Sequence, residues 1–213
     1  MKFTLEELYA LNTLNASEQS IFGTYPEFLE DESGKKLGES LTIGYEELKK
    51  RDLIKDDIPQ EECSTIGYTL ESYQKAKRYL RIDQSFLAVD VDKEKLFTVT
   101  LQKINENEYS LGRKSKLLVF SMFMAELEPY LIDKDQQRTD KKVTLAKERF
   151  IYLYGECQMV EMDFFEYNEC TYSMLIVNTD EGIFEYDSKK EEGNFLAAED
   201  FKKKVIKMMK VVI

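Results

Sequence analysis

The sequence predicts an α+β fold: a central antiparallel sheet built from two helix, three-strand, helix halves related by a pseudo-twofold, flanked by helical layers and preceded by an extra N-terminal helical segment. Two observations carry most of this. Three short runs rich in β-branched and aromatic residues stand at 84–91, 95–103 and 108–113, separated only by polar turns, as an antiparallel meander requires. A second such triplet stands at 157–167, 171–178 and 182–187. Helical periodicity brackets both, and corresponding elements are offset by about 75 residues although residue identity between the halves is negligible. Neither triplet alone buries much core, so the economical arrangement joins both in one sheet with helices over its inner face. The expected organisation is a single domain over 1–213, with an N-terminal helical segment at 1–65, a first half at 66–130 and a second at 139–213.

Thr4 and Glu7 form a capping box, the hydroxyl serving an orphan helix N–H and the carboxylate reaching back. Leu5, Leu8, Leu11 and Leu14 follow on one face, which predicts a helix over 4–15. A short extended segment ends at Pro26, and "EDESGKK" reads as a loop. Leu41, Tyr45 and Leu48 predict a helix over 39–51, and Thr69 caps a further one running through Leu80. After the first meander, "SKLLVFSMFMAELEP" spaces Leu117, Phe120, Met124 and Leu127 by three, four and three, with Ser115 as cap and Pro129 as stop. It is therefore a helix and not a fourth strand. "KKVTLAKERFIYLYG" predicts a helix from about 141, and "LAAEDFKKKVIKMM" predicts the last one.

Charge narrows the function classes. Thirty Lys and Arg stand against 41 Asp and Glu, a net charge of −11, so the surface field repels phosphate backbones and anionic lipid. No nucleic-acid partner is expected. The basic cluster "KAKRYLR", with Lys75, Lys77, Arg78 and Arg81, reads as the solvated side of an amphipathic helix interleaved by Tyr73, Ala76 and Leu80. Acids at Glu6 and Glu7 interrupt any signal-peptide core, and "LLVFSMFMA" is too short to span a bilayer, so no membrane insertion and a cytoplasmic location are expected. Cys63, Cys157 and Cys170 lack a CxxC pair and fit reduced thiols.

Little in the sequence carries chemistry. Without a single histidine the chain lacks the usual proton shuttle near neutral pH, and no GxGxxG or P-loop pattern cradles a phosphate. "DVDKEK" places Asp90, Asp92 and Glu94 like a calcium loop, but Lys95 and Leu101 occupy the positions needing Gly and Glu, so a β-turn is expected. Glu161 and Asp163 lie two apart on a predicted strand and share one face, where they could form an acid–base pair; a half-buried strand with an acidic outer face explains the alternation at no cost. We therefore expect no enzyme, no catalytic residue, no cofactor and no metal.

The stretch "YEELKKRDLIKDD", residues 45–57, raises the remaining question, whether Lys49, Lys50 and Arg51 form a nucleic-acid reader or a structural joint. The surrounding Glu46, Glu47, Asp52, Asp56 and Asp57 oppose a phosphate, and the basic end complements the helix dipole. Followed by "TLESYQKAKRYL" and "SFLAVDV", and preceded by "TLEELYALNTL", it resembles the early part of EspG-type proteins, cytosolic substrate chaperones of type VII (ESX) secretion. There a helix ends in an Arg-Gly-Leu-type turn; Asp52 stands in the place of the glycine, which needs a left-handed backbone. The resemblance implies a protein-binding chaperone or adaptor that holds a small helical secretion substrate without catalysis. It also implies that the sheet loop at Asn105, Glu106 and Asn107, with Tyr109 behind, meets that substrate. The alternatives are an acidic immunity protein that neutralises a toxin by charge complementarity, and a carboxylate-dependent hydrolase.

Overall fold

In a computed structural model, which describes residues 1–17, 20–92, 96–130, 144–153, 156–179, 182–187 and 190–209, the chain is α+β with antiparallel strand pairing. In chain order the elements are β1 (Lys2–Phe3), α1 (Leu5–Leu14), α2 (Lys35–Lys50), β2 (Ile54–Lys55), β3 (Ile58–Pro59), α3 (Glu61–Gln74), β4 (Arg78–Ile82), β5 (Ser85–Ala88), β6 (Phe97–Lys103) and β7 (Tyr109–Ser115). There follow α4 (Lys116–Glu126), β8 (Thr144–Ala146), α5 (Lys147–Leu153), β9 (Gln158–Glu166), β10 (Glu169–Thr179), β11 (Gly182–Asp187), β12 (Glu192–Phe195) and α6 (Ala198–Met209). Two compact units result, one from Met1–Lys77, Gln84–Lys93 and Phe97–Lys114, the other from Arg78–Asp83, Glu94–Leu96 and Ser115–Ile213.

The first unit orders its strands β1-β7-β6-β5 and adds α1, α2 and α3. The expected capping box opens α1: the Glu7 N–H donates to Thr4 Oγ1 at 3.2 Å and the Thr4 N–H donates to Glu7 Oε2 at 2.8 Å. Leu8 and Leu11 point into the core with Phe3, Leu48 and Leu70. The two helices approach so closely at Gly44 that an added Cβ would lie 2.0 Å from the Glu6 carbonyl oxygen. Only a glycine permits that crossing. α2 begins a turn earlier than the spacing predicts, at Lys35, because Gly34 adopts a left-handed φ of 68° and releases the chain from the loop.

At its other end α2 closes in a left-handed turn. Asp52 takes the left-handed φ of 59°. The Leu53 N–H then donates back to the Leu48 carbonyl at 3.0 Å, the six-to-one bond that satisfies an orphan helix carbonyl. Leu53 and Ile54 are thereby buried, folded back under their own helix.

α3 spans Glu61–Gln74, earlier than the expected 69–80. Thr69 is not its cap but a mid-helix residue whose hydroxyl donates to the Thr65 carbonyl at 3.0 Å. The helix starts just after Pro59 with Glu61 and Glu62 in its first turn but no side-chain cap. The basic run after it is also not helical: Arg78–Ile82 is a strand that buries Tyr79, Leu80 and Ile82.

That strand belongs to the second unit, whose order is β4-β9-β10-β11-β12-β8. The long β9–β10 hairpin turns through Tyr167 and Asn168, both at positive φ, the geometry of a two-residue hairpin turn. One face of these strands carries Met162, Met174 and Ile176, all buried. α6 turns Phe201, Val205 and Met209 inward at spacing four. On the opposite face Phe150 of α5 stacks on Tyr186, ring centroids 3.9 Å apart. α5 is shorter than expected because Thr144–Ala146 pairs with β12; residues 141–143 of the expected helix, and Lys95 and Glu94 of the first meander, lie outside the described residues.

Candidate functional site

The three cations of residues 49–51 are each committed to a carboxylate. Lys49 Nζ lies 2.8 Å from Asp57 and 3.6 Å from Glu46, and Lys50 Nζ lies 2.6 Å from Glu47. Asp57 is held below the usual carboxylate range by the hydrogen bonds from Lys49 and then Tyr45. Arg51 reaches across to the buried Glu7 at 2.7 Å, donates to the Lys2 carbonyl at 3.0 Å and covers the Phe3 ring at 4.8 Å. This is a joint between the start of the chain and the end of α2. A phosphate would have to break these pairs to gain them.

The acid pair on β9 is likewise occupied. Glu161 and Asp163 do share a face, and Arg81 on the neighbouring strand binds both, at 2.6 Å to Glu161 and more closely to Asp163. Burial opposes the Arg81 charge, but Asp163 and Glu161 outweigh it and keep the guanidinium pKa above its usual value. Beside them the Cys170 thiol is pushed up, first by burial and next by the Asp163 charge, so it stays a thiol at neutral pH. Three paired positions along, and on the other face of the strands, Arg78 lies 2.7 Å from Glu166. Two of the four cations read as a solvated helix face, Arg78 and Arg81, are thus strand residues paired across to β9, with Glu166 and Asp163 lying 88 and 82 positions downstream, while Lys75 pairs with Glu71 at the end of α3. Of the failed calcium loop, Asp92 accepts from the Phe97 N–H, a local turn contact, and Asp90 accepts from the Lys77 N–H thirteen positions earlier. Among the described residues no three His, Cys, Asp or Glu side chains converge in a way that could hold a metal ion, and no helix is long and apolar enough to cross a membrane.

The expected contact loop joins β6 to β7. Its ends are pinned by the Ile104 N–H donating to the Glu108 carbonyl at 2.8 Å and by Lys2 Nζ on Glu108 at 3.0 Å. Inside it the Asn107 N–H donates to Asn105 Oδ1 at 3.0 Å. Asn105, Glu106 and Asn107 are exposed at the tip, and Ile104 beside them is 40% exposed. Tyr109 stands behind, 5% exposed, and burial followed by the nearby Tyr9 pushes its phenol pKa up. A partner at this loop meets three polar tips and one aliphatic side chain, with Tyr109 as a buried support.

The surface that sequence reasoning missed is on α4. Val119 and Phe120 face inward, at 4% and 8% exposure, whereas Leu117, Leu118 and Met122 stand outward at 55%, 54% and 46%. Ser121 and Ala125 complete the outer stripe, and the Ser121 hydroxyl turns back to the Leu117 carbonyl at 2.8 Å. No charge interrupts it over two turns. Leu117, assigned to the inner face by spacing, lies on the outer one. The signal was present in Leu118 and Met122, apolar at positions where a surface helix carries polar side chains. A contiguous exposed apolar stripe marks an interaction surface more often than scattered leucines do. Against known proteins, the chain matches no family model and no curated protein.

Proposed function

We propose that this chain is a cytosolic protein-binding chaperone or adaptor of a type VII-like secretion system, binding a helical secretion substrate without catalysis. The observation that carries the proposal is the outer face of α4. From Leu117 to Ala125 the stripe is about 12 Å long at helical rise, the length of two turns of a partner helix. Completing the burial of Leu117, Leu118 and Met122, each about half exposed, contributes about 1 kcal/mol apiece. Together that is at most roughly a hundredfold in affinity, before the cost of ordering the two surfaces is subtracted. The polar tip at Asn105, Glu106 and Asn107 supports a second point of contact, as the resemblance to EspG-type proteins implies.

The test is co-purification with the small helical proteins encoded beside this chain, using the intact protein and a Leu118→Glu/Met122→Glu variant. The wild type should retain one of them and the variant should lose it with unchanged circular dichroism. A wild-type monomer that ignores all of them overturns the proposal. The net charge of −11 favours one rival, neutralisation of a basic toxin. Binding that collapses between low and moderate salt, and is indifferent to the α4 changes, would decide for that rival.

A further inference from the structure

Within the first unit, the outward side of α3 and Arg113 of β7 enclose a groove of about 470 Å³. Its helical wall is a stripe of hydroxyls, Ser64, Thr65, Thr69 and Ser72, with the Tyr68 ring, 74% exposed, among them. Each hydroxyl donates to the carbonyl four residues back, at 3.2, 3.0, 3.0 and 2.8 Å. Their hydrogens are therefore spent, and what they offer a ligand is oxygen lone pairs. Across the groove the Arg113 guanidinium lies over the Phe97 ring at 4.5 Å. Among the described residues it has no hydrogen bond or ion pair, and stacking leaves its in-plane N–H donors available.

A row of acceptors beside one cation selects among ligands. Nucleic-acid backbone has no N–H to give the hydroxyls and asks for several cations. A polypeptide in extended form supplies N–H groups at regular intervals and a carboxylate for the arginine. Ser64 to Ser72 covers about 12 Å of helix, the length of about four extended residues. We propose that this groove binds an extended peptide segment of another protein, its backbone N–H groups meeting the hydroxyl row and an acidic side chain or C-terminal carboxylate meeting Arg113. Glu61, which also lines the groove, disfavours a carboxylate beside it, so the ligand's carboxylate pairs with Arg113. The site is separate from the α4 stripe and does not depend on the function proposed above.

Three labelled peptides of Ser, Thr and Val test it on the full chain: amidated with one internal Asp, the same with Asn, and the Asn peptide with a free C-terminal carboxylate. Amide shifts in an NMR titration should map to 64–72. At least one of the two carboxylate peptides should bind about fivefold tighter than the amidated Asn control, a preference set by a solvent-facing ion pair. Whichever it is distinguishes side chain from terminus. Arg113→Gln should erase the preference and keep the weak common binding, and Thr65→Phe, on an exposed position, should weaken all three by filling the groove. The proposal is overturned if no peptide shifts these amides at millimolar concentration, if the preference survives Arg113→Gln, or if inorganic phosphate alone gives the same shifts and displaces the peptides.

Discussion

Replacing Arg51 by Ala isolates the joint between the start of the chain and the end of α2. The Glu7 carboxylate it contacts is 5% exposed, while the Arg51 side chain is 34% exposed. Removing one partner of a fully buried pair costs about 3–5 kcal/mol and an exposed pair is worth about 0–1, so this half-screened pair falls near 2 kcal/mol. Most of that is the penalty of leaving Glu7 charged in a place water barely reaches. A second substitution separates that cost from lost packing. Glu7→Gln retains an acceptor for the Thr4 N–H, so the capping box survives while the charge goes. Arg51→Ala/Glu7→Gln should therefore be no less stable than Arg51→Ala alone, with a coupling energy of about 1 kcal/mol. Urea unfolding of the four proteins, compared at constant m-value, reads this directly. If Arg51→Ala costs under about 0.5 kcal/mol, the pair is no better than a surface one and the argument fails. If the cost is large but unchanged by Gln at position 7, Arg51 acts through its contact with Phe3 and not through charge.

Other changes test other parts of the structure. Gly44→Ala should destabilise by about 1–3 kcal/mol despite the better helix propensity of Ala, because its Cβ meets the Glu6 backbone and not a movable side chain; a neutral or stabilising result in urea would contradict the close crossing. Burial pushes the Tyr130 phenol up to about 12 and raises Tyr109 as well. A folded-state pKa above the unfolded value near 10 means stability is full below about pH 10 and falls as pH rises towards 12. Tyr130→Phe should flatten that fall in alkaline unfolding curves. Both the Cys63 and the Cys170 thiols are raised, but Cys63 is buried and Cys170 exposed, so a thiol reagent should label Cys170 in the native protein and Cys63 only on unfolding. Mass spectrometry after a timed pulse checks the order.

How much the sequence disclosed depended on how local the cause was. The capping box at Thr4 and Glu7, the left-handed turn at Asp52 and the hairpin at Asn105–Asn107 each rest on neighbours within a few positions, and all are readable there. β4 is not, because the partners that make Arg78 and Arg81 strand residues lie on β9. Helical spacing of Tyr73, Ala76 and Leu80 then wins by default. α3 hid its start for lack of a capping side chain, and β12 hid behind Gly193 and its charged flank, being held as a strand by pairing with β8 and β11. For the α4 surface the difficulty was different. Periodicity identifies the helix but not which of two apolar sides has a neighbour, and only packing decides that Phe120 goes in and Leu118 stays out.

The placement of β4 bears on synthesis as well as on architecture. Arg78 pairs with Glu166, 88 positions later, so at translation rates of about 5–20 residues per second the strand waits roughly 4 to 18 s for β9 to be made. During that interval the edge of β4 that β9 will cover is unpaired, and an apolar edge such as Tyr79-Leu80 would invite foreign pairing. Arg78 and Arg81 act as gatekeepers, keeping it soluble until Glu166 and Asp163 arrive to claim them. Protease cleavage within 78–82 on nascent chains halted before residue 158, lost once β9 is complete, is the signature to look for.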